Sequence, residues 1–114
     1  MQQARAQTKF VRIPPRKARL MADVIRGMKV EDATIQLTMS NMKAGRLLKK
    51  TLDSAVANAE TQLNVQRRDL IVQEVRVDAG PVLKRGKAKS RGGQVPIMKR
   101  TSHFTVVVAA GEEK

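Results

Sequence analysis

The apolar positions of the chain change period near residue 70, and that change divides the molecule. Upstream, Leu20, Met21, Val24, Ile25 and Met28 recur at intervals of three and four, the spacing of one face of an α-helix. Pro14 and Pro15 precede them and suit a helix start, where backbone N–H groups have no intrahelical acceptor, and Gly27 suits its stop. A second, shorter helix is predicted where Glu31 and Asp32, favourable at an N-terminus, lead into Ala33, Ile35 and Leu37. A third follows Ser40 or Asn41 as cap and carries a stripe of Leu47, Leu48, Leu52, Ala55, Val56 and Ala59, whose small members predict close packing.

From Leu70 the period is two, with Ile71, Val75 and Val77 on one face and Glu74, Arg76 and Asp78 on the other. A matching strand is predicted from Met98 to Ala110, where Phe104, Val106 and Val108 alternate with His103, Thr105 and Val107 and β-branched residues dominate. The two strands are expected to pair antiparallel. Residues 80–97 between them exceed an ordinary hairpin loop, and structureless loops of that length are uncommon unless functional. Arms of about eight residues at roughly 3.3 Å each would carry the tip about 25 Å beyond the sheet. Pro96 removes one ladder donor from the returning arm and is expected to mark an irregular or bulged edge.

Charge adds a partner class to this outline. The 114 residues suit one small domain spanning 1–114, with the hairpin at about 80–100, and hold 23 Lys+Arg against 10 Asp+Glu, a net charge of +13. Such an excess is the electrostatic footprint of a nucleic-acid binder. No acid lies between Asp78 and Glu112, whereas Lys84, Arg85, Lys87, Lys89, Arg91, Lys99 and Arg100 do, most of them around Gly86, Gly92 and Gly93. A hairpin of this composition repels itself, and a polyanion is its natural stabiliser. On the first helix Arg12, Arg16, Lys17, Arg19 and Arg26 surround the apolar face; at the start of the third, Lys43, Arg46, Lys49 and Lys50 stand where a helix dipole prefers acids. Each cluster reads either as a phosphate contact or as a solvated face.

Catalysis finds no support. Gly80 lies one residue too far from Gly86-Lys87 for a nucleotide-binding loop, and Ala88 stands where Ser or Thr is required. His103, the single histidine, adjoins Ser102 without a third partner, and a structural or RNA-facing role is expected for it. The carboxylates are scattered, so neither a metal site nor a cofactor is expected. With Phe10 and Phe104 the only aromatics, stacking platforms of the usual single-strand readers cannot be built, which leaves recognition by shape and phosphate. The absence of cysteine fits a reducing compartment, with cytoplasm the default, and the longest apolar run, Val106 to Ala110, is too short for a membrane span.

Several segments together carry a family resemblance: Val77-Asp78-Ala79-Gly80-Pro81, Lys84-Arg85, and Lys99-Arg100-Thr101-Ser102-His103 followed by Thr105-Val106-Val107-Val108. Upstream, Pro15-Arg16-Lys17-Ala18-Arg19-Leu20, Ile25-Arg26-Gly27 and Ser54-Ala55-Val56-Ala57-Asn58-Ala59-Glu60 continue it in order. The chain resembles, from about Lys9 to Val108, the bacterial family of large-subunit ribosomal protein twenty-two. The resemblance implies an α+β fold, a three-stranded antiparallel sheet packed against three helices with a long protruding β-hairpin, and a first strand near Ala4 to Arg12. It implies a non-catalytic constituent of the large ribosomal subunit that binds large-subunit (23S) ribosomal RNA, aids assembly and lines the polypeptide exit tunnel. Its partners would be that RNA, neighbouring large-subunit proteins and the nascent polypeptide, without a membrane or a homo-oligomer.

By the same resemblance Lys84, Arg85, Lys87, Lys89 and Arg91 contact tunnel RNA or face the emerging chain, within a tip that also holds Gly86, Ala88, Ser90, Gly92 and Gly93. Arg16, Lys17, Arg19, Lys99 and Arg100 anchor the body and the hairpin base, and Arg12, Lys43, Arg46, Lys49, Lys50, Ser102 and His103 complete the expected RNA contacts. The tip departs from the family pattern, with Ala88-Lys89-Ser90 where Pro-Arg-Ala is frequent and Gly92-Gly93 where Gly-Arg is.

Overall fold

Helix formers and β-branched residues segregate along the chain, and the elements follow them. In the computed structural model, which describes residues 3–88 and 94–110, strand β1 (Gln3–Val11) leads to helices α1 (Pro15–Ile25), α2 (Val30–Met39) and α3 (Lys43–Leu63). A 3₁₀ turn at Arg67–Asp69 precedes β2 (Leu70–Ala79), the hairpin strands β3 (Leu83–Ala88) and β4 (Gln94–Lys99), and β5 (Ser102–Ala110). The sheet of the body is antiparallel in the order β1-β5-β2, and β3 and β4 form a second sheet of their own. With extents of 68 × 25 × 17 Å the molecule is strongly elongated.

β5 lies between β1 and β2, so both of its edges are hydrogen-bonded, and Phe104, Val106 and Val108 share one of its faces. Phe104, Val106 and Val108 are fully buried with Leu48, Leu52 and Val56 of α3 and Ile25 of α1 in one hydrophobic core. At about 25 cal/mol per Å² of apolar surface removed from water, these large side chains supply the main driving force for folding. Ala55 and Ala59 of α3 are wholly buried, the close approach that their size predicts.

Three expectations are corrected here, each for an identifiable reason. Ile71 does not share a face with Val75 and Val77: a register shift between Val72 and Glu74 inserts one residue, so Leu70 and Val72 before it and Val75 and Val77 after it point inward. On α1 the buried face is Ala18, Met21, Ala22 and Ile25, while Leu20 is 60% and Val24 45% exposed. Two alanines let α1 approach β2 closely, and a reading that weights large apolar residues misplaces that face; Ile35 of α2, 54% exposed, is misassigned in the same way. The strand expected from Met98 to Ala110 breaks at Arg100-Thr101, where Gly80 N–H donates to Thr101 O (2.9 Å) and Thr101 Oγ1 donates to Pro81 O (2.6 Å), fixing a corner between body and arm.

The arm itself is regular. Leu83↔Lys99 through Ala88↔Gln94 pair without a shift, so Pro96 faces Gly86 in an unbulged ladder, contrary to the irregularity expected there. Six paired residues per arm span about 20 Å, somewhat short of the eight-residue estimate.

Helix ends follow local chemistry in part. α1 starts with Pro14 as N-cap and Pro15 in the first turn, and ends before Gly27, whose φ of +85° few other residues adopt without strain. Neither Ser40 nor Asn41 caps α3; Met42 holds that position, and Ser40 Oγ accepts the Met42 N–H (3.1 Å) in the preceding turn. The outer edge of β2 is covered: Arg19 donates through Nε and Nη2 to Val77 O (3.2 and 3.1 Å), Arg26 Nη2 donates to Val75 O (2.8 Å), and Gly27 N–H donates to Val72 O (2.9 Å). These bonds occupy carbonyls that an exposed edge would offer to another chain.

Candidate nucleic-acid interface

Three separated segments meet at the root of the hairpin. The β1–α1 connection contributes Arg12 and Pro14, the first turn of α1 Arg16 and Lys17, the first residue of α3 Lys43, and the β4–β5 corner Lys99 and Arg100; they line a cleft of about 650 Å³. Six of these seven side chains are cationic and none is a carboxylate. Lys43 Nζ donates to Arg12 O (3.1 Å), tying α3 to the β1–α1 connection while its remaining N–H donors stay available.

Helix polarity reinforces the charge. α1 and α3 both begin at this cleft, neither has a side-chain cap bond, and neither has an acid in its first turn. Helix N-termini carry partial positive charge, so the cations there are unfavourable by some tenths of a kcal/mol each in the free protein. An anion in the cleft reverses that sign, because the dipoles, the backbone N–H groups and the side chains then act together. Arginine can fork onto two phosphate oxygens, while lysine acts as a point charge. The arrangement suits an anion such as a phosphate group. Among the described residues, no cluster of three or more His, Asp or Glu is placed to hold a metal, and no helix is long and apolar enough to cross a membrane.

The expected RNA contacts therefore divide. Arg12, Arg16, Lys17, Lys43, Lys99 and Arg100 converge, although up to 88 positions separate them in sequence, from Arg12 to Arg100. Arg19 is engaged at the β2 edge, and Arg46, Lys49 and Lys50 follow α3 without lining the cleft. Ser102 is fully buried and its hydroxyl donates to Ile13 O (2.6 Å), so it braces β5 against the β1–α1 connection. Ser102→Ala should cost about 1–3 kcal/mol in urea unfolding, since it strands a buried carbonyl; a change below about 0.5 kcal/mol would show that the bond contributes nothing. His103 is half-buried, and its Nδ1 accepts the Phe10 N–H (3.0 Å), with the two rings edge to face at 5.0 Å. Phe10 holds a left-handed φ of 59°, a strained conformation for this residue, next to the register shift of β1.

Lys84, Arg85, Gly86, Lys87 and Ala88 belong to β3, which runs outward from this root, whereas Lys89, Ser90, Arg91, Gly92 and Gly93 lie outside the described residues. Sequence reasoning passed over the corner itself. A Cβ on Gly80 would stand 2.5 Å from Thr101 Oγ1 and 3.1 Å from His103 Cε1, and the only sequence signal was the Gly80-Pro81 pair. Gly80→Ala should destabilise by about 1–3 kcal/mol through overpacking, and it should shift amide resonances of β3 and β4 as the arm is redirected. Unchanged stability and spectrum would show that the corner yields freely.

The fold is thus a small basic α+β body with a cation-lined cleft at the root of a projecting two-stranded arm. The family described as ribosomal protein L22p/L17e matches residues 6–109, and the chain belongs to it. It is 68% identical over 109 residues to the large ribosomal subunit protein uL22 of Protochlamydia amoebophila, covering 96% of this chain and 98% of that one. With the uL22 of Chlamydia muridarum it shares 60% identity over 104 residues (91% and 94% covered), and with that of Chlamydia pneumoniae 57% over 108 (95% and 97%). The family is one of structural, non-enzymatic ribosomal proteins.

Proposed function

We propose that this chain is a structural constituent of the large ribosomal subunit that grips ribosomal RNA at the root of its hairpin and extends the hairpin along the polypeptide exit tunnel. The cleft carries this reading: six cations from three segments, without a carboxylate, face one concavity at two helix N-termini. Relatives named as large-subunit proteins support the setting. Phosphates of ribosomal RNA fill the cleft and fix the body, and the charged arm, Lys84, Arg85, Lys87, Lys89 and Arg91, then meets RNA and the emerging polypeptide. Neutralising cations that repel one another in the free protein couples binding to subunit assembly. Neighbouring large-subunit proteins complete the surroundings.

Ultraviolet crosslinking in growing cells tests this directly. Large-subunit ribosomal RNA should be joined to peptides spanning residues 80–100 and to the Arg12–Lys17 segment. Crosslinks dominated by varied messenger RNAs or DNA would assign the charge to general nucleic-acid binding instead.

A further inference from the structure

Beside the basic cleft lies a second cavity of different character. Its volume is about 300 Å³, and its walls are Pro15, Ala79, Gly80, Val82, Arg100 and Thr101. Arg100 lines both cavities, and Pro15 sits between Pro14 and Arg16 of the cleft, so the two are contiguous in structure. Apart from Arg100 the wall carries no charge. Val82 is 43% exposed at this point, an apolar side chain left in water within a cationic neighbourhood.

We infer that this second cavity receives a single unstacked nucleobase, while phosphates of the same strand occupy the basic cleft and Arg100 lies between base and backbone. The inference rests on the phosphate reading of the cleft and adds a subsite to it. Single-stranded RNA is read where bases are splayed from the stack and laid against aromatic rings or the guanidinium plane of arginine. Phe104 is wholly buried in the core, and neither it nor Phe10 lines this cavity, so the flat surface on offer is Arg100, backed by the apolar walls of Pro15, Ala79 and Val82. The volume is at the lower end of the range for small-ligand sites. An apolar side chain of another protein could fill the cavity but would leave the six cations of the adjoining cleft without a counter-anion. A nucleotide uses both cavities at once.

The probes are a 5′-phosphorylated dinucleotide and its abasic counterpart, which carries the same sugar-phosphate backbone, titrated into the isotope-labelled full chain at low salt. Both should shift resonances of Arg12, Arg16, Lys43 and Arg100. The dinucleotide alone should also shift Ala79, Gly80 and Val82 and bind roughly tenfold tighter, as expected for one stacked base. Ala79→Leu, which fills the cavity without touching the cleft, should remove that advantage and leave abasic binding unchanged. Equal affinities with shifts confined to the cleft would overturn the base subsite and leave phosphate binding intact. Absence of cleft shifts with either probe would overturn both.

Discussion

Exchanging Arg16, Lys43 and Arg100 together for glutamine should lower affinity for large-subunit ribosomal RNA by roughly a hundredfold or more at about 0.1 M salt, because every phosphate left unneutralised by the protein keeps its condensed counterions. The slope of log affinity against log salt should flatten by about two to three, since each neutralised phosphate contributes about 0.7 to 0.9. The control is the triple exchange of Arg46, Lys49 and Lys50, which removes the same charge from α3 outside the cleft. It should weaken binding much less. Filter binding across a salt series distinguishes the two, and equal losses in both variants would mean that net charge, not the cleft, governs affinity. Folding stability should be unchanged or slightly raised in the cleft variant. Arg16 and Lys43 lie in first turns, where positive charge opposes the helix dipole, and like charges less than a Debye length apart repel.

The second large effect concerns the core. Phe104→Ala should destabilise the protein by about 3–5 kcal/mol, the transfer loss of a buried ring plus the cavity left behind. Against a total stability of about 5–15 kcal/mol this leaves little reserve. Phe104 is fully buried on the central strand, opposite Thr8 of β1 and Val77 of β2, so it joins both halves of the sheet to the helices. Urea unfolding measures the loss, and Phe104→Leu, which keeps an apolar side chain there, should cost distinctly less. A cost below about 1.5 kcal/mol for the alanine variant would mean that the surrounding side chains collapse into the space, and that the ring is not the keystone its burial suggests.

The contrast between what was legible and what was not is clearest at particular residues. The stripe Leu47, Leu48, Leu52, Ala55, Val56 and Ala59 is read directly, because it repeats within one helix and faces the core, with Leu47 partly buried at its margin. The alternation of Phe104, Val106 and Val108 is equally plain. Ile71 fails because one inserted residue reverses the inside and outside of a strand, and the insertion is defined only by the partner Val107. Leu20 and Val24 fail because the alanines of α1, inconspicuous in a hydropathy reading, are what β2 admits at close range. The bond from the Ser102 hydroxyl to Ile13 O was not legible either, because it joins residues far apart along the chain.

By itself the sequence determined the charge, the kinds and order of the helices and strands, the acid-free arm and the family. All are properties of contiguous segments, set by side-chain period, backbone preference and composition. Only the tertiary structure decided which cations act together. Arg12, Lys43 and Arg100 are distant along the chain, and the pairing of β1 with β5 and the placement of the α1 and α3 N-termini bring them to one cleft. The same holds for the apolar cavity beside it, which no segment contains. Periodicity reports what a residue does within its own element, while a site between elements depends on how their buried faces pack.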